Sequence, residues 1–199
     1  PAKLTEDMRP KEDAQKQARR KDLFVDTQFP WLAVAYHIPE AAHEDIPILG
    51  LIGNILTGGR SSRLYRKVIY EDQSALSVFT SVDNYKDPGL FTVMVNSIKQ
   101  RHTPEEVETV VNEILERFKT DMVTERELEK AINKMETNLI FGLQTNFVRG
   151  MRIGFSLART GDPLGFIKKL ESYRQATAKD IQKVARKYFT PENRTTIRL

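Results

Sequence analysis

The chain contains no cysteine. Disulfides and thiolate metal sites are therefore excluded, and the absence fits an oxidising or envelope compartment. Histidine is scarce, at three residues, His37, His43 and His102. No apolar run is long enough to cross a bilayer. The opening stretch Pro1-Ala2-Lys3-Leu4-Thr5-Glu6-Asp7 is polar and lacks the pattern of a signal peptide. The sequence begins without Met, and it is expected to be a piece of a longer polypeptide. No Walker or Rossmann glycine pattern follows a strand, and Gly58-Gly59 lacks the Lys-Ser/Thr ending that would hold phosphate and metal. The formal charge of +4 is modest. Basic residues gather at Lys11–Lys21 and Lys179–Lys187, but polar and apolar residues interrupt them and no nucleic-acid motif accompanies them. They are read as solvated faces.

What is present suits a folded domain. Of 199 residues, 40% are apolar and 9% aromatic, enough for a sizeable core in one large domain or two small fused halves. Residues 1–14 are polar, with two prolines and no apolar period, and are expected to be an interdomain linker to a domain at 15–199. Strands are predicted at 18–25 and 29–37. The apolar run Trp31–Tyr36 suits a central strand covered on both faces. Helices follow at 44–57 and 61–71, then an antiparallel pair at Ala75–Tyr85 and Gly89–Ile98, joined by Asp87-Pro88-Gly89. Thr103-Pro104-Glu105-Glu106 starts a helix whose stripe is Val107, Val110, Val111, Ile114, Leu115 and Phe118. A second long helix runs from Thr124 to about Leu143. Helical pattern resumes to about Thr160, with a break made plausible by Gly142, Gly150 and Gly154. Helices at 163–174 and 177–188 and a strand at 193–198 close the chain. This order implies a two-layer α/β (α+β) sandwich, with helices on one face of a mixed, largely antiparallel sheet.

Chemistry-bearing patterns are few. His37-x-x-Glu40-x-x-His43 is the nearest approach to a zinc motif, but Pro39 interrupts it and the spacing does not place the imidazoles on one helix face. Local sequence suggests no Ser–His–Asp arrangement, and no catalytic or metal residue is assigned. The most informative block is Thr57-Gly58-Gly59-Arg60-Ser61-Ser62-Arg63-Leu64-Tyr65. Paired glycines between two helical patterns read as a tight corner, and Ser61 and Ser62 suit an N-cap.

Several motifs occur in order along nearly the whole chain: Val34-Ala35-Tyr36-His37-Ile38-Pro39, the glycine corner with Ser62-Arg63-Leu64-Tyr65, and Asp87-Pro88-Gly89-Leu90-Phe91. They are followed by Thr124-Glu125-Arg126-Glu127-Leu128, Gly161-Asp162-Pro163, Thr177-Ala178-Lys179-Asp180-Ile181, Ala185-Arg186-Lys187-Tyr188 and Pro191-Glu192-Asn193. Together they resemble the non-catalytic C-terminal domain of the M16 zinc metallopeptidases (pitrilysin-like and mitochondrial-processing-peptidase-like), of the kind found in bacterial M16B zinc proteases. The resemblance implies the LuxS/MPP-like metallohydrolase fold and a wall of a peptide-enclosing chamber. It also implies no cofactor in this chain, with zinc in a missing N-terminal domain of the same polypeptide, a second M16-like subunit and a peptide substrate; the compartment stays open, with the lack of cysteine fitting a bacterial periplasm or cell envelope. A catalytically inactive core subunit of related fold is the alternative left open.

The family's substrate-binding Arg and Tyr, seven residues apart, fall here on Ile69 and Leu76, which cannot donate hydrogen bonds. Arg63 and Tyr70 have the same spacing in another register. In the mitochondrial α-type subunit a longer glycine-rich loop implicated in substrate handling occupies the place of Gly58-Gly59-Arg60. The resemblance thus makes Gly58, Gly59, Arg60, Arg63 and Tyr70 the candidate substrate-binding residues, with a purely structural corner as the competing reading.

Overall fold

A computed structural model of the chain describes residues 13–83 and 85–199. The element order is β1 (Arg19–Asp22), β2 (Trp31–Ile38), α1 (Asp45–Thr57), a π-helical segment (Tyr65–Glu71), β3 (Ala75–Val82), β4 (Gly89–Ile98), α2 (Pro104–Thr120), α3 (Glu125–Phe141), α4 (Asn146–Thr160), α5 (Gly165–Gln175), α6 (Ala178–Tyr188) and β5 (Arg194–Arg198). The strands form one sheet in the order β1-β5-β2-β4-β3. Only β1 and β5 run parallel; the other pairs are antiparallel. The mixed two-layer architecture is the one the sequence implies. Most of the linker expected at 1–14 lies outside the described residues, and Asp13 and Ala14 have no regular structure.

Alternation on the central strands builds the core. Leu32, Val34, Tyr36 and Ile38 of β2, with Phe91, Val93 and Val95 of β4, point to the helical layer and are buried. They meet α1, α2 and α6, whose inward residues include Leu49, Ile52, Leu56, Val111, Leu115, Phe118, Ile181 and Val184. Each such large side chain contributes about 1.5–3 kcal/mol on burial. Phe189, just past α6, closes the cluster with its ring centroid 5.1 Å from Tyr36 and 5.0 Å from Phe91. The expectation that β2 is covered on both faces holds only in part: on its other face Ala33 is buried, but Trp31, Ala35 and His37 are only half-buried. An apolar run reads as fully buried, whereas among the described residues the helices chiefly in contact with β2 are α2 and α6, which meet its core face of Leu32, Val34, Tyr36 and Ile38.

Close approach fixes α1 against the sheet. A Cβ on Gly53 would stand 3.0 Å from Thr80 Oγ1, and that hydroxyl donates to the Gly53 carbonyl at 3.0 Å. Thr57 Oγ1 lies 2.8 Å from Thr80 Oγ1 and accepts from the Thr80 amide. The N-terminal end of α1 is tied to the end of α6: Lys187 Nζ and Tyr188 OH donate to Asp45 Oδ2 at 2.6 and 2.7 Å. Burial pushes the Asp45 carboxyl up, but these two bonds outweigh it and hold its pKa below the ordinary value.

Caps set the helix starts. Thr103 with Glu106, and Thr124 with Glu127, form reciprocal capping boxes at α2 and α3, as their Thr-x-x-Glu spacing implies, and Thr177 with Asp180 forms another at α6. The long helical pattern breaks at 142–145, where Thr145 caps α4. The helix predicted at 61–71 is shorter and wider than expected. Its ordered part is π-helical, with the Asp72 amide bonded to the Lys67 carbonyl five residues back. Lys67 Nζ also reaches Asp72 Oδ1 at 2.7 Å, so side chains reinforce the same interval. Over so short a segment, apolar periodicity does not separate the two helix types.

Candidate functional site

The glycine corner joins α1 to the π-helical segment. The Gly58 amide closes on the Asn54 carbonyl at 2.7 Å, and a Cβ there would lie 2.4 Å from that oxygen, so only glycine fits. Gly59 turns the chain with φ 156°, a value L side chains rarely adopt. The serines do not cap the next segment as expected. Ser62 is buried and its hydroxyl donates back to the Gly59 carbonyl; Ser61 accepts from Lys130. The hydroxyls instead stabilise the corner itself: helical structure begins at Arg63, directly after Ser62, but the Ser62 hydroxyl is turned back onto Gly59.

One face of α3 holds this corner. Glu127, Lys130 and Lys134, at helical spacing, reach Arg63, Ser61 and the Gly58 carbonyl respectively. Arg63 makes a two-pronged pair with Glu127, at 2.7 and 2.8 Å, and its guanidinium lies 4.6 Å from the Phe118 ring centroid. The Arg63 hydrogen bonds, helped by the Thr124 backbone amide and against the cost of partial burial, pull the Glu127 pKa down from 4.5 to about 2. Sequence reasoning missed these α3 partners. Their spacing marks a common helix face, but nothing local says what that face meets.

The five candidate residues therefore separate. Gly58, Gly59 and Arg63 are engaged in the corner. Arg60 is exposed at its tip. Tyr70 is half-exposed on the π-helical segment, its ring 5.7 Å from Tyr65. At the other register, Ile69 packs against the core and Leu76 is exposed.

Beside this segment lies the end strand of the sheet. β3 pairs with β4 alone, so its outer edge has no strand neighbour among the described residues. Leu76 and Phe79 are exposed on it. Ser97, opposite Leu76, takes a left-handed φ of 55° and leaves a gap in the ladder between Ala75↔Ile98 and Ser77↔Asn96. A shallow depression of about 290 Å³ sits here, lined by Phe29, Leu76 and Ser97 among others.

The histidines do not converge. The His37 backbone is clamped by the Asn193 side chain, His43 Nδ1 accepts from the Asp45 amide at 3.0 Å, and His102 Nδ1 lies 3.5 Å from Glu106. Among the described residues no group of three or more His, Asp or Glu is placed to hold a metal ion. The donor set here does not fit the family's zinc. No helix among the described residues is long and apolar enough to cross a membrane.

Comparison with known proteins places this geometry in context. The family model described as "Peptidase M16 inactive domain" matches residues 4–135. Among curated proteins, the uncharacterized zinc protease YmxG of Bacillus subtilis is 24% identical over 188 residues, covering 92% of this chain and 44% of that protein. A protease from Helicobacter pylori has the same fold, with a TM-score of 0.92 at 22% identity, covering 100% of this chain and 48% of that one. An inactive peptidase domain from Bordetella parapertussis superposes with a TM-score of 0.78 at 24% identity, covering 88% and 96%. The chain spans less than half the length of YmxG and of the Helicobacter pylori protein.

Proposed function

We propose a function from the premise that this chain belongs to the peptidase M16 inactive-domain family: it forms a non-catalytic wall of a peptide-enclosing chamber in a zinc endopeptidase. The observation that carries this is the coverage: the chain accounts for 44% of a relative named as a zinc protease, leaving room there for another domain of similar size. That domain would precede this one, joined through the polar stretch 1–14, and would supply the zinc ligands and the base that activates water.

This chain's own part is to present peptide. The outer edge of β3, which has no strand neighbour among the described residues, with exposed Leu76 and Phe79, supports binding by strand addition, which uses backbone groups and tolerates many sequences. In this reading Arg60 and Tyr70 contact substrate near that edge, while Gly58, Gly59 and Arg63 hold the corner that presents them.

The test is direct. The isolated chain, dialysed against a weak chelator, should retain no stoichiometric zinc by elemental analysis. It should hydrolyse a fluorogenic peptide at background rate when zinc is restored. Chelator-sensitive turnover by this chain alone, or one tightly held zinc per chain, would overturn the assignment.

A further inference from the structure

A second groove lies away from the corner and the β3 edge, between α4, α5 and the turn leading into α1. It encloses about 740 Å³, a volume typical of ligand sites. On α4 its lining falls at helical spacing: Val148, Met151, Arg152, Phe155 and Arg159 share one face. Phe166 and Lys169 face them from α5, and Pro47 of α1 closes one end. The floor is apolar and aromatic, yet the charged groups are mostly cations.

Among these cations Arg152 and Arg159 have little carboxylate compensation among the described residues. The acids on the lining are Glu44 and Asp162, and Asp162 is held by Lys168 at 2.7 Å. His43, at the rim, faces Asp45, which Lys187 and Tyr188 already engage. Among the described residues neither Arg152 nor Arg159 pairs with a carboxylate. Arg152 Nε is buried with no hydrogen-bond partner, and Arg159 lies over the Phe155 ring at 4.9 Å. A guanidinium with a buried N–H left without a partner is unfavourable, and an acceptor brought to its accessible N–H groups would offset part of that cost. Burial, then the charges of Arg159 and Arg152, push Lys169 down to about 8, as expected where like charges crowd.

We infer that this groove binds an acidic peptide segment bearing apolar side chains, its carboxylates meeting Arg152 and Arg159 and its apolar groups resting on Phe155 and Phe166. The shape selects a chain over a compact anion. From Val148 to Thr160 the α4 wall is about 18 Å long, matching about five residues of extended chain. A phosphate would occupy one end and leave the aromatic floor bare. The inference needs only this chain and does not depend on the peptidase reading.

The probe is a fluorescein-labelled hexapeptide of alternating Glu and Phe, compared with its Gln-Phe counterpart by fluorescence polarisation on the full chain. The acidic peptide should bind about tenfold tighter or more, consistent with charge-assisted hydrogen bonds. The Arg152→Gln/Arg159→Gln double variant should erase that preference, whereas Lys179→Gln/Lys183→Gln, away from the groove, should keep it. Thermal melts of each variant separate lost binding from lost folding. If the Arg variant melts early, Arg159→Gln alone should still lower the acid-over-amide ratio. Amide shifts in the folded chain should cluster on α4 and α5 rather than β3. Equal affinity for the two peptides, or acidic binding indifferent to the Arg substitutions, overturns the inference. Capture of phosphatidylglycerol vesicles through the same arginines without peptide binding overturns the peptide assignment.

Discussion

The Arg63–Glu127 pair makes the corner sensitive to acid. Glu127 titrates at about 2 in the folded chain against an ordinary 4.5, so its folded pKa is depressed. Stability from this pair is complete above about pH 5 and declines as pH falls from the ordinary value towards 2. Removing the partner by Arg63→Gln should cost about 1.5–3 kcal/mol near pH 7, the range for hydrogen bonds to charged groups. In that variant Glu127 titrates nearer its ordinary value, so it has less acid-labile stability to lose. Urea unfolding of both proteins at pH 7 and pH 3 should therefore show a gap that narrows in acid. A gap of equal size at both pH values would show that the cost comes from lost Phe118 packing instead. Corner integrity is thus separable from any substrate role of Arg60 and Tyr70, which do not join this pair.

Among the elements, α4 is the one whose sequence and environment disagree most. It packs mainly on α5, and Gly150 and Gly154 lie in its interior with nothing within 4 Å of a Cβ built at either. Their backbone angles are helical, not left-handed. Gly154→Ala should therefore stabilise the chain by about 0.5–1 kcal/mol, the helix-interior difference between these residues, read as a higher urea midpoint at unchanged slope. A lower midpoint would mean that another surface covers that face. The rest of the helical layer was largely legible, because local chemistry marks its boundaries. Thr103-Pro104-Glu105-Glu106 and Thr124-Glu125-Arg126-Glu127 each encode their own cap, and the stripe from Val107 to Phe118 encodes its buried side. Three features were not legible. The π-helical interval at Lys67–Asp72 depends on five-residue bonds that periodicity does not register. The half-buried face of β2 depends on which side the helices pack. The α3 clamp on the corner joins residues more than sixty positions apart, Arg63 to Glu127. The glycine corner itself was legible as a turn between two helical segments, but which of the candidate residues remain available, Arg60 and Tyr70, emerges only from that long-range clamp. The α4–α5 groove left no motif, since its charge balance arises from helix placement.

At the scale of the molecule, the helical layer is finished on its sheet side and unfinished elsewhere. Phe141, Phe147 and Leu157 around α4, and Phe24 and Phe29 beside β2, are large apolar side chains left exposed. An exposed apolar surface of this kind marks an interaction face, and the chain spans less than half the length of YmxG and of the Helicobacter pylori protein that it matches. Under the proposed function, the positions on which the family's Arg and Tyr would fall bear on how many polypeptides are needed. Ile69 packs against the core and Leu76 is exposed, so the first is structural and the second offers only an apolar contact. Neither can stabilise negative charge developing on a scissile carbonyl. The two-domain protease proposed above, assayed alone, is therefore expected to turn over a fluorogenic peptide poorly. Adding a homologous subunit that carries the Arg/Tyr pair should raise turnover by about 10²-fold or more, the scale seen when an oxyanion donor is supplied. Full turnover by the parent alone, unchanged by the homologue, would contradict the two-subunit arrangement and move attention to the other register. There Arg63 is committed to Glu127, which leaves Tyr70 as the free donor. Tyr70→Phe in the active parent would then decide the matter: a large fall in kcat with little change in KM would place Tyr70 at the reacting carbonyl, and unchanged kinetics would leave it a surface residue of the π-helical segment.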